Sequence, residues 1–291
     1  MFLKREQHRT TIKFPATAAL NGLLSRFRIF RKICELVSRE VEATELHLPI
    51  RGLPLAFAGF RMAQLSDIHI GSWVNRERLD QAVDLALSLR PDIYVLTGDY
   101  LPGNGWSALR ETQVADLAAG LQPLPMAAPT FSILGNHDHR TNAPAIQEAL
   151  TGIGVIDLTN AVYPLEKGPA KLYLAGIDDL NSGFPRLDQV LQQLPADGPA
   201  ILLAHEPDFA DVSAGTGRFA LQISGHTHGG QVVLPFIGRP LLPRNGRKYP
   251  SGLYKVGEMY QYTNRGIGTG EQYIRINCPP EITQFVLEQG G

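Results

Sequence analysis

Five apolar runs in this chain each end in aspartate, histidine or asparagine, and that repetition restricts the fold more than any other feature. Phe60 to Leu65 delivers Ser66-Asp67-Ile68-His69, and Ile93 to Leu96 delivers Thr97-Gly98-Asp99. Thr130 to Leu134 runs into Gly135-Asn136-His137-Asp138-His139. Pro199 to Ala204 ends at His205, and Phe219 to Ser224 at Gly225-His226-Thr227-His228. Short apolar runs of this length read as buried strands, and a glycine at the end lets the backbone turn sharply. In open α/β sheets the active site lies at the carboxyl ends of the strands. A chain with five such endings is expected to bring them to one edge.

Between the runs, helical spacing appears at Arg78 to Arg90 (halted by Pro91), Ala108 to Leu121, Ala143 to Gly152 and Leu187 to Leu194. Strand, helix, strand in that order indicates a parallel βαβ unit. Further strands are expected at Leu46 to Ile50, Val155 to Leu158, Lys171 to Ile177, Val232 to Leu234, Leu253 to Val256, Met259 to Thr263 and Ile282 to Leu287. The pattern predicts an α/β chain with two packed sheets and outer helices. Asp178 and Asp179 read as turn residues.

Composition removes several classes. At 44% apolar and 19% charged, the 291 residues have globular character, and a net charge of -1 gives no general attraction to nucleic acid. The two cysteines, Cys34 and Cys278, cannot form a disulfide framework. No run approaches the roughly 18 to 20 apolar residues of a membrane span, and no convincing signal cleavage site follows the segment Phe14 to Leu24. The cytoplasm is the expected location.

Charge is uneven at the start: Met1 to Lys32 holds eight basic residues against Glu6 alone. Leu20, Leu23, Leu24, Phe27, Phe30, Ile33, Cys34 and Val37 follow a helical period with arginines on the other face. Residues 1–44 are therefore expected to form a basic extension with an amphipathic helix, which either lies on an anionic membrane surface or packs on the domain formed by 45–291.

The polar residues at the strand ends are Asp67, His69, Asp99, Asn136, His137, His205, His226 and His228. All are oxygen or imidazole donors, with no thiolate. This set suits Mn²⁺, Fe²⁺, Zn²⁺ or Co²⁺ and differs from a structural zinc site. It is too many ligands for one ion, so two divalent ions are expected, with Asp99 as the shared carboxylate. On an extended backbone, Asp67 and His69 would share a face, as would His226 and His228.

Asp67-Ile-His69, Gly98-Asp99, Gly135-Asn-His-Asp138, His205 and Gly225-His-Thr-His228 together resemble the signature of the calcineurin-like metallophosphoesterases. The resemblance spans Leu46 to Leu287. It implies a four-layer α/β/β/α sandwich of two mixed sheets. It also implies one ion on Asp67, His69, Asp99 and His228, and a second on Asp99, Asn136, His205 and His226. His137 is then the acid for the leaving group, with Asp138 orienting it. Two divalent ions less two carboxylates leave about +2, matched to phosphate.

Ser66 to Gly71, the Gly229-Gly-Gln-Val232 continuation, Asn264 to Gly270 and Cys278-Pro-Pro-Glu281 resemble the bacterial membrane-associated phosphodiesterase subgroup. Some of its members cleave the pyrophosphate of UDP-diacylglucosamine in lipid A synthesis. Val232 to Arg244, followed by Arg247 and Lys248, sets apolar residues and cations beside the metal histidines. Exposed, this segment would suit a lipid-bearing phosphodiester or pyrophosphate; burial of Phe236 and Ile237 would remove that reading. Soluble diesters, including cyclic nucleotides, are the alternative, and a non-catalytic scaffold would need lost ligands, of which there are none. His139 is either near substrate or a solvated loop histidine.

Overall fold

A computed structural model describes residues 9–12, 41–103, 107–270 and 274–290. The amphipathic helix expected between Leu20 and Val37 lies outside them. Among the described residues, no helix is long and apolar enough to cross a membrane.

The strands are β1 (Arg9–Ile12), β2 (Val41–Arg51), β3 (Arg61–Leu65), β4 (Ile93–Leu96), β5 (Thr130–Ser132), β6 (Ile156–Asp157), β7 (Ala161–Lys167), β8 (Ala170–Gly176), β9 (Ala200–Leu203), β10 (Leu221–Ser224), β11 (Gly252–Val256), β12 (Met259–Thr263) and β13 (Glu281–Gly290). The helices are α1 (Arg76–Ser88), α2 (Ala108–Leu121), α3 (Pro123–Ala127), α4 (Asn136–Thr141), α5 (Ala143–Gly152), α6 (Leu187–Gln193) and α7 (Ala210–Gly215). One sheet runs β1-β2-β13-β3-β4-β5-β6 and the other β11-β12-β10-β9-β8-β7. Both are mixed. β3, β4, β5 and β6 are parallel, while β13 is antiparallel to β3 and parallel to β2. In the second sheet β8, β9, β10 and β12 are parallel, with antiparallel edges β7 and β11.

Strand alternation sorts the apolar side chains into three layers of packing. Ile93 and Val95 face Ile201, Leu203, Leu221 and Ile223 between the sheets. Tyr94 and Leu96, their neighbours on the same strand, point outward onto Leu79 and Val83 of α1, Leu117 and Leu121 of α2, and Ile146 and Leu150 of α5. On the far side, Ala175, Ala200 and Leu202 meet Val190 of α6 and Ala210 of α7. The result is the four-layer α/β/β/α sandwich, with β3-α1-β4 as the expected parallel unit.

β1, α3 and α7 have no counterpart in the sequence pattern, and three further elements differ from expectation. β7 escapes the sequence pattern because Pro164 interrupts it, and the strand survives because it is an edge strand. Val232 to Leu234 forms only isolated bridges to Ile276 and Gly238, since Pro235 and a left-handed Phe236 (φ 66°) turn the chain away. The residues after Gly135 form the short helix α4 rather than a loop.

Candidate metal centre

The carboxyl ends of β3, β4 and β5, neighbours in one sheet, meet those of β9 and β10, neighbours in the other. Asp67, His69 and His228 form one buried group of metal-binding atoms, and Asp99, His205 and His226 form another. Within each group these atoms lie within 4.8 Å of one another. Asp99 stands between the two: its Oδ2 is 3.2 Å from His205 Nε2 and 3.7 Å from His69 Nε2. His69 Nε2 and His228 Nε2 are 3.1 Å apart.

The backbone that achieves this is not the extended one expected. Asp67, His69, Asp99, His226 and His228 have φ of 52°, 48°, 59°, 71° and 51°. Non-glycine residues rarely occupy this left-handed region, and each costs about 1–3 kcal/mol, so five at one place mark a site held by its surroundings. His226 and His228 therefore serve different groups instead of sharing a strand face. The hold comes partly from paired loops: His69 N donates to Asp99 O at 3.1 Å, and Ile70 N to Tyr100 O at 2.9 Å. It comes also from Gly98, where an added Cβ would sit 2.5 Å from Gly135 N. Any larger residue there would push the Asp99 loop off α4.

Hydrogen bonds fix which atom each ligand presents. His205 Nδ1 donates to Thr97 O at 2.7 Å, which leaves Nε2 for the centre. His226 Nε2 donates to Arg244 O at 2.8 Å, which leaves Nδ1. Asp67 accepts from His226 N at 3.0 Å and from Ser66 Oγ at 2.6 Å, the latter backed by Thr97 and Gln64. Among the described residues, buried His226 Nδ1 and Asn136 Oδ1 have no hydrogen-bond partner, and His205 Nε2 has only its close, poorly angled approach to Asp99. Buried polar atoms are rarely left so, and these fit a cation.

Electrostatics agree. Burial pushes His69 down to about 3 and His226 to about 4, and His228 lies well below its ordinary value through burial, its nearness to His69 and the Arg275 charge. All three are thus neutral, as ligands must be. His205 moves the other way, because Asp99 and Asp67 overcome its burial, and Asp99 is correspondingly held low. Asp67 is raised by burial and by Asp99.

The His137 ring packs edge-on against His69, centroids 4.8 Å apart. Its Nδ1 accepts from Gly103 N at 2.8 Å, so the neutral ring carries its proton on Nε2. Asp138 does not orient this ring. Its oxygens accept from Gly135 N at 2.9 Å, Asp99 N at 2.8 Å and Tyr100 N at 2.8 Å, because it caps the first turn of α4 from inside the core. Its effect is on the Asp99 loop. His139 is a rim residue rather than a solvated one, with Nε2 2.6 Å from Asp178 Oδ1.

Sequence reasoning missed Arg275. Its guanidinium is 1% exposed and lies on the carbonyls of Arg265, Gly266, Gly268, Cys278 and His228, with Nη2 3.5 Å from His228 Nδ1. No ion pair reaches it among the described residues, and an isolated arginine in a tail carries no signal of such burial.

A family model described as calcineurin-like phosphoesterase matches residues 60–230. The chain is 34% identical over 251 residues to an uncharacterized metallophosphoesterase, YkuE, of Bacillus subtilis, covering 85% of this chain and 86% of that one. It is 32% identical over 233 residues to the phosphodiesterase YaeI of Escherichia coli, covering 79% and 83%. Among solved structures, TT1561 of Thermus thermophilus aligns at a TM-score of 0.49 with 14% identity, over 72% of this chain and 90% of that one. With ligand groups, fold and family model in agreement, the chain belongs to the calcineurin-like phosphoesterases, metal-dependent hydrolases of phosphoric esters.

Proposed function

We propose that this protein hydrolyses a phosphodiester or pyrophosphate bond at two divalent ions. Asp67, His69, Asp99 and His228 hold one, and Asp99, Asn136, His205 and His226 the other. The carrying observation is that Asn136 Oδ1 and His226 Nδ1 are buried without hydrogen-bond partners among the described residues, beside a carboxylate set between two ligand groups. Bound ions of this kind supply charge neutralisation and an activated water at neutral pH. The oxygen and imidazole donors suit Mn²⁺, Fe²⁺, Zn²⁺ or Co²⁺. His137 acts on the leaving group: Gly103 N–H on Nδ1 directs the Nε2–H away from the loop. Asp138 supports the Asp99 turn.

His137→Ala is expected to keep both ions and lose about 10²–10⁴-fold in turnover on esters with poor leaving groups, and far less on nitrophenyl esters. Metal analysis alongside a leaving-group series checks this. Equal turnover of wild type and variant on an alkyl diester would remove His137 from the chemistry.

The diester reading is supported by the Escherichia coli relative, a phosphodiesterase by name. A lipid-linked substrate of the UDP-diacylglucosamine type is supported by the resemblance to that subgroup and by the exposure of the Val232 to Lys248 segment. A panel of lipid-linked pyrophosphates, soluble diesters and cyclic nucleotides separates these readings. Turnover of soluble diesters far above that of any lipid would sink the lipid-linked one.

A further inference from the structure

Between Gln231 and Lys248 the chain carries four cations, Arg239, Arg244, Arg247 and Lys248, and no acidic residue. This segment leaves the metal histidines and returns to them. Arg239 Nε donates to Gly229 O at 2.9 Å, and Arg244 O accepts from His226 Nε2 at 2.8 Å. Between these anchors, Leu234 and Gly238 close a tight turn with reciprocal backbone bonds of 2.9 Å, which leaves Pro235, Phe236 and Ile237 at the tip. Phe236 is 109% exposed, Ile237 71% and Leu241 46%. Phe236 is held at φ 66°, an unfavourable conformation for a bulky residue, so its exposure is built into the backbone. On the neighbouring loop Phe184 is 73% exposed, and Asn245 Nδ2 ties that loop to this one by donating to Asn181 Oδ1 at 3.0 Å.

Scattered single apolar residues on a surface are ordinary, but a backbone-fixed Phe-Ile tip backed by cations is not. The shape selects the occupant. A protein partner needs roughly 800 Å² from each side, and a convex tip of a few side chains offers neither that area nor a groove. A bilayer asks only that apolar side chains reach a few ångströms past the head groups while cations stay at phosphate level. Among the described residues no ion pair engages the side chains of Arg244 or Arg247, whereas Lys248 is 2.7 Å from Asp211.

We propose that residues 234–247 are the surface by which this protein docks on an anionic lipid bilayer, with Phe236 and Ile237 entering the acyl region and Arg244 and Arg247 meeting head-group phosphates. The anchors at Gly229 O and His226 put the metal centre at the base of the docked segment. Docking in this way deepens the lipid-linked reading and rests on it for one consequence, that the scissile phosphate is met at head-group level.

The test is sedimentation of the full chain with vesicles of phosphatidylcholine alone and of phosphatidylcholine mixed with phosphatidylglycerol, without substrate. Wild type is expected to bind the mixed vesicles. Phe236→Ser with Ile237→Ser should lower its partition about tenfold or more, while metal content and unfolding midpoint match wild type. Arg244→Gln with Arg247→Gln should lower partition about tenfold on the mixed vesicles, and the difference should shrink in high salt. The basic N-terminal residues are the same in every variant, so undiminished binding by the serine variant overturns the proposal. Loss of binding by that variant in an enzyme that cleaves only soluble diesters would uphold docking and remove the lipid-linked substrate. Retained binding with lipid cleavage would do the reverse.

Discussion

The two ligand groups are built on opposite electrostatic plans. In the group of Asp99, His205 and His226 a carboxylate oxygen lies 3.2 Å from a histidine nitrogen and raises its proton affinity, and carbonyl oxygens at Thr97 and Arg244 set the ring orientations. In the group of Asp67, His69 and His228 no histidine is raised in this way. Two neutral rings face each other, and the compensating cation is Arg275, one layer behind His228. One group is fixed by paired carbonyls and a close carboxylate–imidazole contact; the other leans on a buried guanidinium that five carbonyls surround. The difference implies unequal affinities and unequal tolerance of change behind the ligands.

Asp99 is proposed as a ligand to both ions, so its loss should have the largest effect. Asp99→Asn is expected to remove both ions and lower kcat/KM by roughly 10³-fold or more, which corresponds to the several kcal/mol of charge stabilisation such ions supply. Metal stoichiometry is the deciding measurement: a variant that keeps one tight ion would mean the groups are independent and Asp99 belongs to only one. Next comes Arg275→Gln. Removing the guanidinium strands its carbonyl acceptors in the core and should cost about 3–5 kcal/mol of stability. It should also weaken the ion on Asp67, His69 and His228 by about 10–100-fold while sparing the other. Calorimetric metal titration resolves the two sites; equal weakening of both would erase the proposed asymmetry.

How far the sequence reveals this centre depends on which physical signal each part leaves. Strand ends are legible because an apolar run followed by Asp, His or Asn shows both the strand and its exit. All seven proposed ligands are legible in that way. The left-handed turns at Asp67, His69, Asp99, His226 and His228 are not, since positive φ is uncommon for any non-glycine residue, even for aspartate and histidine, and tertiary contacts decide where it occurs. Asp138 shows its limits differently: its place beside His137 suggests a dyad, but burial turns it toward backbone N–H groups. Arg275 is invisible because its partners are backbone carbonyls, which every residue has. The strand β7 is hidden by Pro164, and residues 232–234 read as a strand because periodicity takes no account of the turn at Phe236.

The smallest effect concerns the seam between the two sheets, where α4 of the first meets the loop after β8 of the second. His139 and Asp178 are 39 positions apart and joined at 2.6 Å. The hydrogen bond to Asp178 raises His139 above its ordinary 6.5. Against the push of burial, the bonds from His139 and from Phe184 N hold Asp178 below 3.8. The raised histidine contributes stability in full below 6.5 and loses it as pH rises through its higher folded value. The depressed carboxylate contributes above 3.8 and loses it as pH falls through its lower one. Both contributions are complete between 3.8 and 6.5. His139→Gln is therefore expected to cost about 1–2 kcal/mol in denaturant unfolding at a pH inside that window, and a fraction of it well above the window, where the wild-type ring is neutral. Metal binding by both groups should be unchanged, because neither residue supplies a ligand. A loss that is the same inside and above the window would mean that the pair acts by packing alone and that the seam carries no charge-dependent hold.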